Sequence, residues 1–225
     1  MSDLPLKFDA NGLLPVVVQD LFSGEIRMVA FASPEAVRAT LESGRATFFS
    51  RSRNELWEKG KTSGHSIVVR RVLVDCDADC LIYCSDPVGP SCHTGAPSCF
   101  FRALEGATLV ERPVEPQTVL GSLEATLEAR KDSSAAQSYA RSLYDGGASL
   151  IGAKVREEAG EFAQALAREA DDRVVAEAAD LLFHTLVGLH SRGLTLRHVL
   201  EALDARAGKS GLHEKAERAP KKPVV

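Results

Sequence analysis

Hydrophobic positions in the first hundred residues recur with a period near two, the spacing of a half-buried strand. The run Leu14-Pro15-Val16-Val17-Val18-Gln19-Asp20 and the run Ile26–Phe31 flank a Ser23-Gly24 turn and predict a hairpin. Ser33-Pro34-Glu35 supplies an N-cap, a proline at the first helical position and an acid in the first turn, so a helix is expected to about Ser43, stopped by Gly44. Residues 46–49, 66–74 and 80–84 read as further strands. Beyond Pro113 and Pro116 the period changes to about 3.6. Helices are expected over 119–130, 138–144, 150–169, 174–191 and 195–205, with Asp145-Gly146-Gly147 ending the second and Gly193 separating the last two.

The chain therefore reads as multi-domain. A strand-rich α+β domain (1–110) is followed by a Pro-containing linker (111–117) and an all-α helical bundle (118–225), whose polar tail from Gly208 is expected to be disordered at its end. The length of 225 residues allows two cores of roughly 100 residues each. The net charge is −4 and neither half is basic, which argues against a nucleic-acid partner. The N-terminus lacks the basic and apolar runs of a signal peptide, and no apolar run approaches the ~20 residues of a membrane span, so a cytoplasmic location is expected.

Five cysteines, Cys76, Cys80, Cys84, Cys92 and Cys99, all fall within one stretch of the first half. In a reducing compartment that clustering favours metal binding or catalysis over disulfides. Asp75-Cys76-Asp77-Ala78-Asp79 places three carboxylates on alternate residues. On a strand they would share one face, with Cys76 on the other, and Mg²⁺ would relieve their repulsion. Thiolates select zinc, and three of them with one open position make a catalytic site. Spacing alone permits the set Cys76, Cys80 and Cys84, but side chains separated by ~13 Å steps along a strand cannot share an ion. His93, beside Cys92, is a candidate general acid or base. Taken singly, these signals are weak: an isolated Asp-x-Asp is usually a solvated turn and a buried Cys usually packing. The segment 50–64 mixes cations, hydroxyls, glycines and Trp57, which suits a phosphate loop beside a base-stacking surface as well as it suits an ordinary polar loop.

In the second half Glu158 and Glu161 stand at i and i+3, and Glu177 and Asp180 repeat the spacing on the next helix. Acids on helices usually face water, but two such pairs on consecutive helices, both beside an apolar stripe, would build a carboxylate cage for Mg²⁺. His184 reads as a satisfied structural residue. Gly208-Lys209-Ser210 fails as a P-loop, because no glycine stands five residues before Gly208 and helix precedes it.

The segments 50–64, 75–79 and 89–100 together resemble phosphoribosyl-AMP cyclohydrolase. The resemblance implies zinc on Cys76, Cys92 and Cys99, Mg²⁺ on Asp75, Asp77 and Asp79, and a site shared between two subunits, hence a homodimer. Cys80 and Cys84 fall where that family has apolar strand residues. Ile67 and Pro87 stand near places where it usually has glutamine, which touches substrate contacts rather than metal ligands. Arg51, Ser52, Trp57, Lys59, Thr62 and Ser63 are the substrate-binding candidates. From Val119 to Arg218 the chain resembles phosphoribosyl-ATP pyrophosphohydrolase through Ser138-Tyr139, Lys154, Glu157-Glu158-x-x-Glu161, Glu177-Ala178-Ala179-Asp180 and Lys209-Ser210-Gly211. That implies Mg²⁺ on Glu158, Glu161, Glu177 and Asp180, and Lys154 on phosphate. Together the two resemblances imply consecutive steps of histidine biosynthesis on small nucleotide substrates. Two rivals remain at this point. One is a house-cleaning nucleotide pyrophosphohydrolase with a degenerate first domain. The other is a zinc-stabilised binding module on a helical dimerisation domain.

Overall fold

The computed structural model describes residues 4–111, 116–132 and 138–207. The polar tail and its Lys209-Ser210-Gly211 lie outside the described residues, as do residues 112–115 of the linker. The chain divides into two compact units, Met1–Ala125 and Thr126–Val225.

In the first unit β1 (Leu14–Asp20) pairs antiparallel with β2 (Ile26–Ala32) through the expected turn. Gly24 takes φ 75°, a left-handed conformation that glycine adopts without strain, and Asp20 Oδ1 accepts the N–H groups of Phe22 and Ser23. Helix α1 (Pro34–Ser43) starts where the sequence says it should, with Ser33 Oγ accepting the Ala36 N–H, and ends at the left-handed Gly44. β3 (Thr47–Ser50) turns back into β4 (Glu55–Glu58), and β5 (Ile67–Val74) pairs antiparallel with β6 (Leu81–Pro87). The main sheet has the order β2-β1-β6-β5, with β1 and β6 parallel. β1 alternates buried and half-buried positions, and its Val16 and Val18 meet Phe48, Leu81 and Tyr83 in the core. A hairpin of β7 (Arg102–Glu105) and β8 (Thr108–Glu111) completes the strands.

Four segments depart from the sequence reading. β4 lies inside the segment read as a polar loop, because Leu56 and Trp57 pair with Phe49 and Phe48. β7 and β8 have no counterpart in the reading; both are short and largely exposed, so the alternation that marks a half-buried strand is faint. Asp75–Cys80 is a turn, not a strand. Asp75 Oδ1 accepts the N–H groups of Asp79 and Cys80, both at 3.0 Å, and Ala78 sits at φ 65°. The alternating faces assigned to Asp75, Cys76, Asp77 and Asp79 therefore do not exist, nor does the continuous strand on which Cys76, Cys80 and Cys84 were compared.

α2 (Val119–Arg130) precedes the second unit's long antiparallel pair. Helix α3 (Tyr139–Arg168) is capped by Ser138 and broken at Gly147 (φ 65°, ψ −169°), so the expected helix end and the longer helix after it survive as two parts of one element. α4 (Asp171–Ser191) packs on α3, and α5 (Leu196–Asp204) follows a turn at Gly193. Ile151 and Ala165 of α3 and Leu186 and Val187 of α4 are buried. A Cβ on Gly188 would lie 3.4 Å from Ile151, which lets the helices approach closely there. Among the described residues no helix is long and apolar enough to cross a membrane.

Candidate active sites

In the first unit the loop after β6 carries Cys92 and Cys99 into a cavity of ≈ 760 Å³. Trp57, Lys59, Thr62, Ser63 and His93 line the same cavity, so four of the substrate candidates meet the cysteine pair. Arg51 and Ser52 line a neighbouring depression that also reaches Trp57 and His93. Two anchors hold the loop: Cys99 N–H donates to the Arg27 carbonyl, and Arg27 donates to Ser91 Oγ and to the Gly89 carbonyl.

The thiols are electrostatically unequal. Burial opposes ionisation of Cys92, but hydrogen bonds from the Thr94 hydroxyl (3.1 Å), the backbone and Cys99 outweigh it and lower its pKa. Cys99 goes the other way: although the residue is exposed overall, its thiol packs against Cys92, and burial with the neighbouring thiolate pushes it up to about 11. Lys59, buried beside them, donates from Nζ to the His65 carbonyl at 3.1 Å. Desolvation lowers its pKa while Cys99 and Cys92 pull it back up. A soft, electron-rich pair under a cation is a donor set that fits zinc.

Cys76 is not part of this cavity. It sits in the turn that precedes Leu81 of β6, whereas the loop of Cys92 and Cys99 follows Pro87 and returns to β2 at the Arg27 carbonyl. Among the described residues the Cys76 thiol does not join Cys92 and Cys99 in any group of ligand atoms within 4.8 Å of one another. Around Cys76 the oxygens of Asp75, Asp77 and Asp79 come within 4.8 Å of one another, all exposed. Hydrogen bonds from the Cys80 and Asp79 backbone lower the Asp75 carboxyl, while the charge of Asp77 raises Asp79. Mutual repulsion of this kind is what a hard dication relieves. Cys84 is buried in β6 and Cys80 is half-buried next to Leu81.

Three residues not named as candidates also line the cavity: His65, and Arg53 and Ser91 from the segments the sequence reading had singled out. His65 could have been found by its place in the Thr62-Ser63-Gly64-His65 run. Arg27 is 64 residues from Ser91, and no local pattern links them.

In the second unit Glu158 of α3 and Glu177 and Asp180 of α4 bring ligand oxygens within 4.8 Å of one another. Glu158 and Glu177 are buried and Asp180 is exposed. Glu161 stands outside that tight group but near enough to Glu177 to act on its ionisation. Desolvation raises the Glu177 pKa, the Arg173 guanidinium lowers it, and Glu161 and Asp180 raise it further. Two buried acids, with Arg173 the cation beside Glu177 among the described residues, form a donor set that fits Mg²⁺. Lys154, one turn before Glu158, is held by Glu157 at 3.0 Å. His184 is buried and fully hydrogen-bonded, to the Asp180 carbonyl and to Tyr139.

Two family matches divide the chain as these geometries do. Residues 28–101 match the phosphoribosyl-AMP cyclohydrolase family, and residues 120–207 match the phosphoribosyl-ATP pyrophosphohydrolase family. The histidine biosynthesis bifunctional protein HisIE of Deinococcus radiodurans is 45% identical over 94% of this chain and 97% of its own length. The chain belongs to the HisIE family. The HisIE proteins of Thermus thermophilus and Aquifex aeolicus, 43% and 41% identical over 88% and 90% of the chain, extend the likeness across both units. As a HisIE member the chain is a bifunctional hydrolase of histidine biosynthesis, with a cyclohydrolase half and a pyrophosphohydrolase half. The reading of the first domain as degenerate, and the reading of the whole as a binding module, are set aside.

Proposed function

We propose that the helical half hydrolyses phosphoribosyl-ATP to phosphoribosyl-AMP and pyrophosphate, and that the strand-rich half then opens the adenine ring at N1–C6 in a zinc-dependent step. Glu158, Glu161, Glu177 and Asp180 would hold Mg²⁺, which when bound neutralises the triphosphate. Lys154 would exchange Glu157 for a phosphate oxygen.

For the ring opening, Cys92 and Cys99 of one copy and Cys76 of a second copy would hold zinc, which when bound supplies hydroxide near neutrality. Asp75, Asp77 and Asp79 would hold Mg²⁺. The cavity residues do the positioning. Trp57 offers a face for the purine, while Arg51, Ser52, Lys59, Thr62 and Ser63 offer donors to the phosphates. His93, whose Nδ1 lies 3.9 Å from Cys92 Sγ, is placed to move a proton to or from the ring. The phosphoribosyl group on N1 withdraws electrons and makes C6 electrophilic.

The observation that carries a shared site, and with it a homodimer, is that Cys76 lies outside the cavity that holds Cys92 and Cys99 of the same copy. One experiment tests the whole reading: incubation with phosphoribosyl-ATP, with and without a zinc chelator, followed by product identification. Pyrophosphate should appear in both arms. The ring-opened product should appear only without chelator, and phosphoribosyl-AMP should accumulate with it. Ring opening that survives removal of zinc would overturn the proposed dependence.

A further inference from the structure

Tyr139 and Glu158 both belong to α3, yet the backbone between them is interrupted at Gly147, so helix geometry alone does not fix one relative to the other. Side chains make the connection instead. His184 Nδ1 lies 2.9 Å from the Asp180 carbonyl oxygen. A carbonyl oxygen only accepts, so Nδ1 carries the proton, and in a neutral imidazole Nε2 is then an acceptor. Tyr139 Oη lies 3.0 Å from that nitrogen and must donate to it. The Tyr139 ring stacks on Phe183 (6.2 Å, 15°) and meets His184 edge-on. His184 Nδ1 is also 3.6 Å from Glu158 Oε1, so the relay ends inside the acid cluster.

We infer that Tyr139 and His184 are positioning residues for pyrophosphate release, docking the segment before the Gly147 break onto the acid cluster. The inference rests on the proposed use of that cluster. Having donated its proton to His184, the Tyr139 oxygen keeps only acceptor capacity. The ring itself stays half exposed at the edge of the site.

Conservative variants of the full chain separate this role from a packing role. Tyr139→Phe keeps the ring stack and removes the hydrogen bond. His184→Asn keeps a donor near Nδ1 and loses the acceptor, while His184→Gln keeps an acceptor near Nε2. Tyr139→Phe and His184→Asn should each lower kcat for pyrophosphate release about tenfold, the worth of one misplaced hydrogen bond, with KM nearly unchanged. Their double variant should be no slower than either, and His184→Gln should recover to within roughly threefold of the parent. Nitrogen NMR of His184 should show a protonated Nδ1 and an unprotonated Nε2 whose resonance shifts in Tyr139→Phe. Multiplicative losses in the double variant, an undiminished kcat in Tyr139→Phe, or a protonated Nε2 in the parent would overturn the relay. Glu158→Gln tests the underlying reading separately. Release that survives it removes the site and the relay together; loss there without loss in Tyr139→Phe removes the relay alone.

Discussion

Mixing two inactive variants should restore ring opening if zinc is held between two copies of the chain. Within one copy, Cys76 lies in the Asp75–Cys80 turn and outside the cavity that holds the Cys92–Cys99 pair, while each zinc–thiolate bond spans only ~2.3 Å. The turn that holds Cys76 is fixed by β5 and β6, and moving it to the pair would break the pairing of β6 with both β1 and β5. In a two-fold dimer each site would take Cys76 from one copy and the pair from the other. Cys76→Ser and Cys92→Ser homodimers would then both lack zinc and activity. After unfolding and refolding an equal mixture, about half the dimers are heterodimers, and each has one site with both substitutions and one with neither. Activity should therefore return to about a quarter of the unmutated level, with zinc rising in parallel. The assay is ring-opened product per chain beside zinc content, and a mixture of Cys92→Ser with Cys99→Ser serves as control, since both lesions fall on the same side of the site. No recovery in the first mixture, or recovery in the control, would refute the shared-site reasoning.

Glu161→Gln should abolish pyrophosphate release and leave phosphoribosyl-AMP hydrolysis intact, as measured with each substrate; loss of both activities would contradict separable sites. Gly147→Ala should destabilise the helical unit by about 1–3 kcal/mol, seen as a lower melting temperature, because φ 65° with ψ −169° excludes a side chain on backbone grounds although nothing lies within 4 Å of the added carbon. Glu177 is raised by burial, so its ionisation works against folding. Its contribution is present below the ordinary glutamate pKa and is lost as pH rises through its folded value. Glu177→Gln should therefore flatten the fall in metal-free stability above that range, and Mg²⁺ should raise the melting temperature of the parent more than that of the variant, both read by thermal denaturation.

Local patterning determined much of this protein directly. The β1–β2 hairpin, α1 with its Ser33 cap and Gly44 stop, and the change to helical period after Pro116 depend on residues within a few positions of one another. The acid pairs on α3 and α4 were visible for the same reason: i, i+3 spacing puts two carboxylates on one helix face before any packing is known. That Glu158, Glu177 and Asp180 meet while Glu161 stands one step back was decided by how α3 packs on α4. The Asp75–Asp79 segment marks the limit of periodicity. Alternation suggested a strand, but an Asx-type turn won because Asp75 can satisfy two backbone donors locally. The acids converge even so. Only the tertiary structure revealed that Cys92 enters a cavity that Cys76 does not reach, since the fifteen intervening residues say nothing about direction until β6 is paired. It alone also brought Arg27 to Ser91 and Tyr139 to His184. Those contacts span 64 and 45 residues, and hydrogen bonds between residues so far apart leave no periodic trace in the chain.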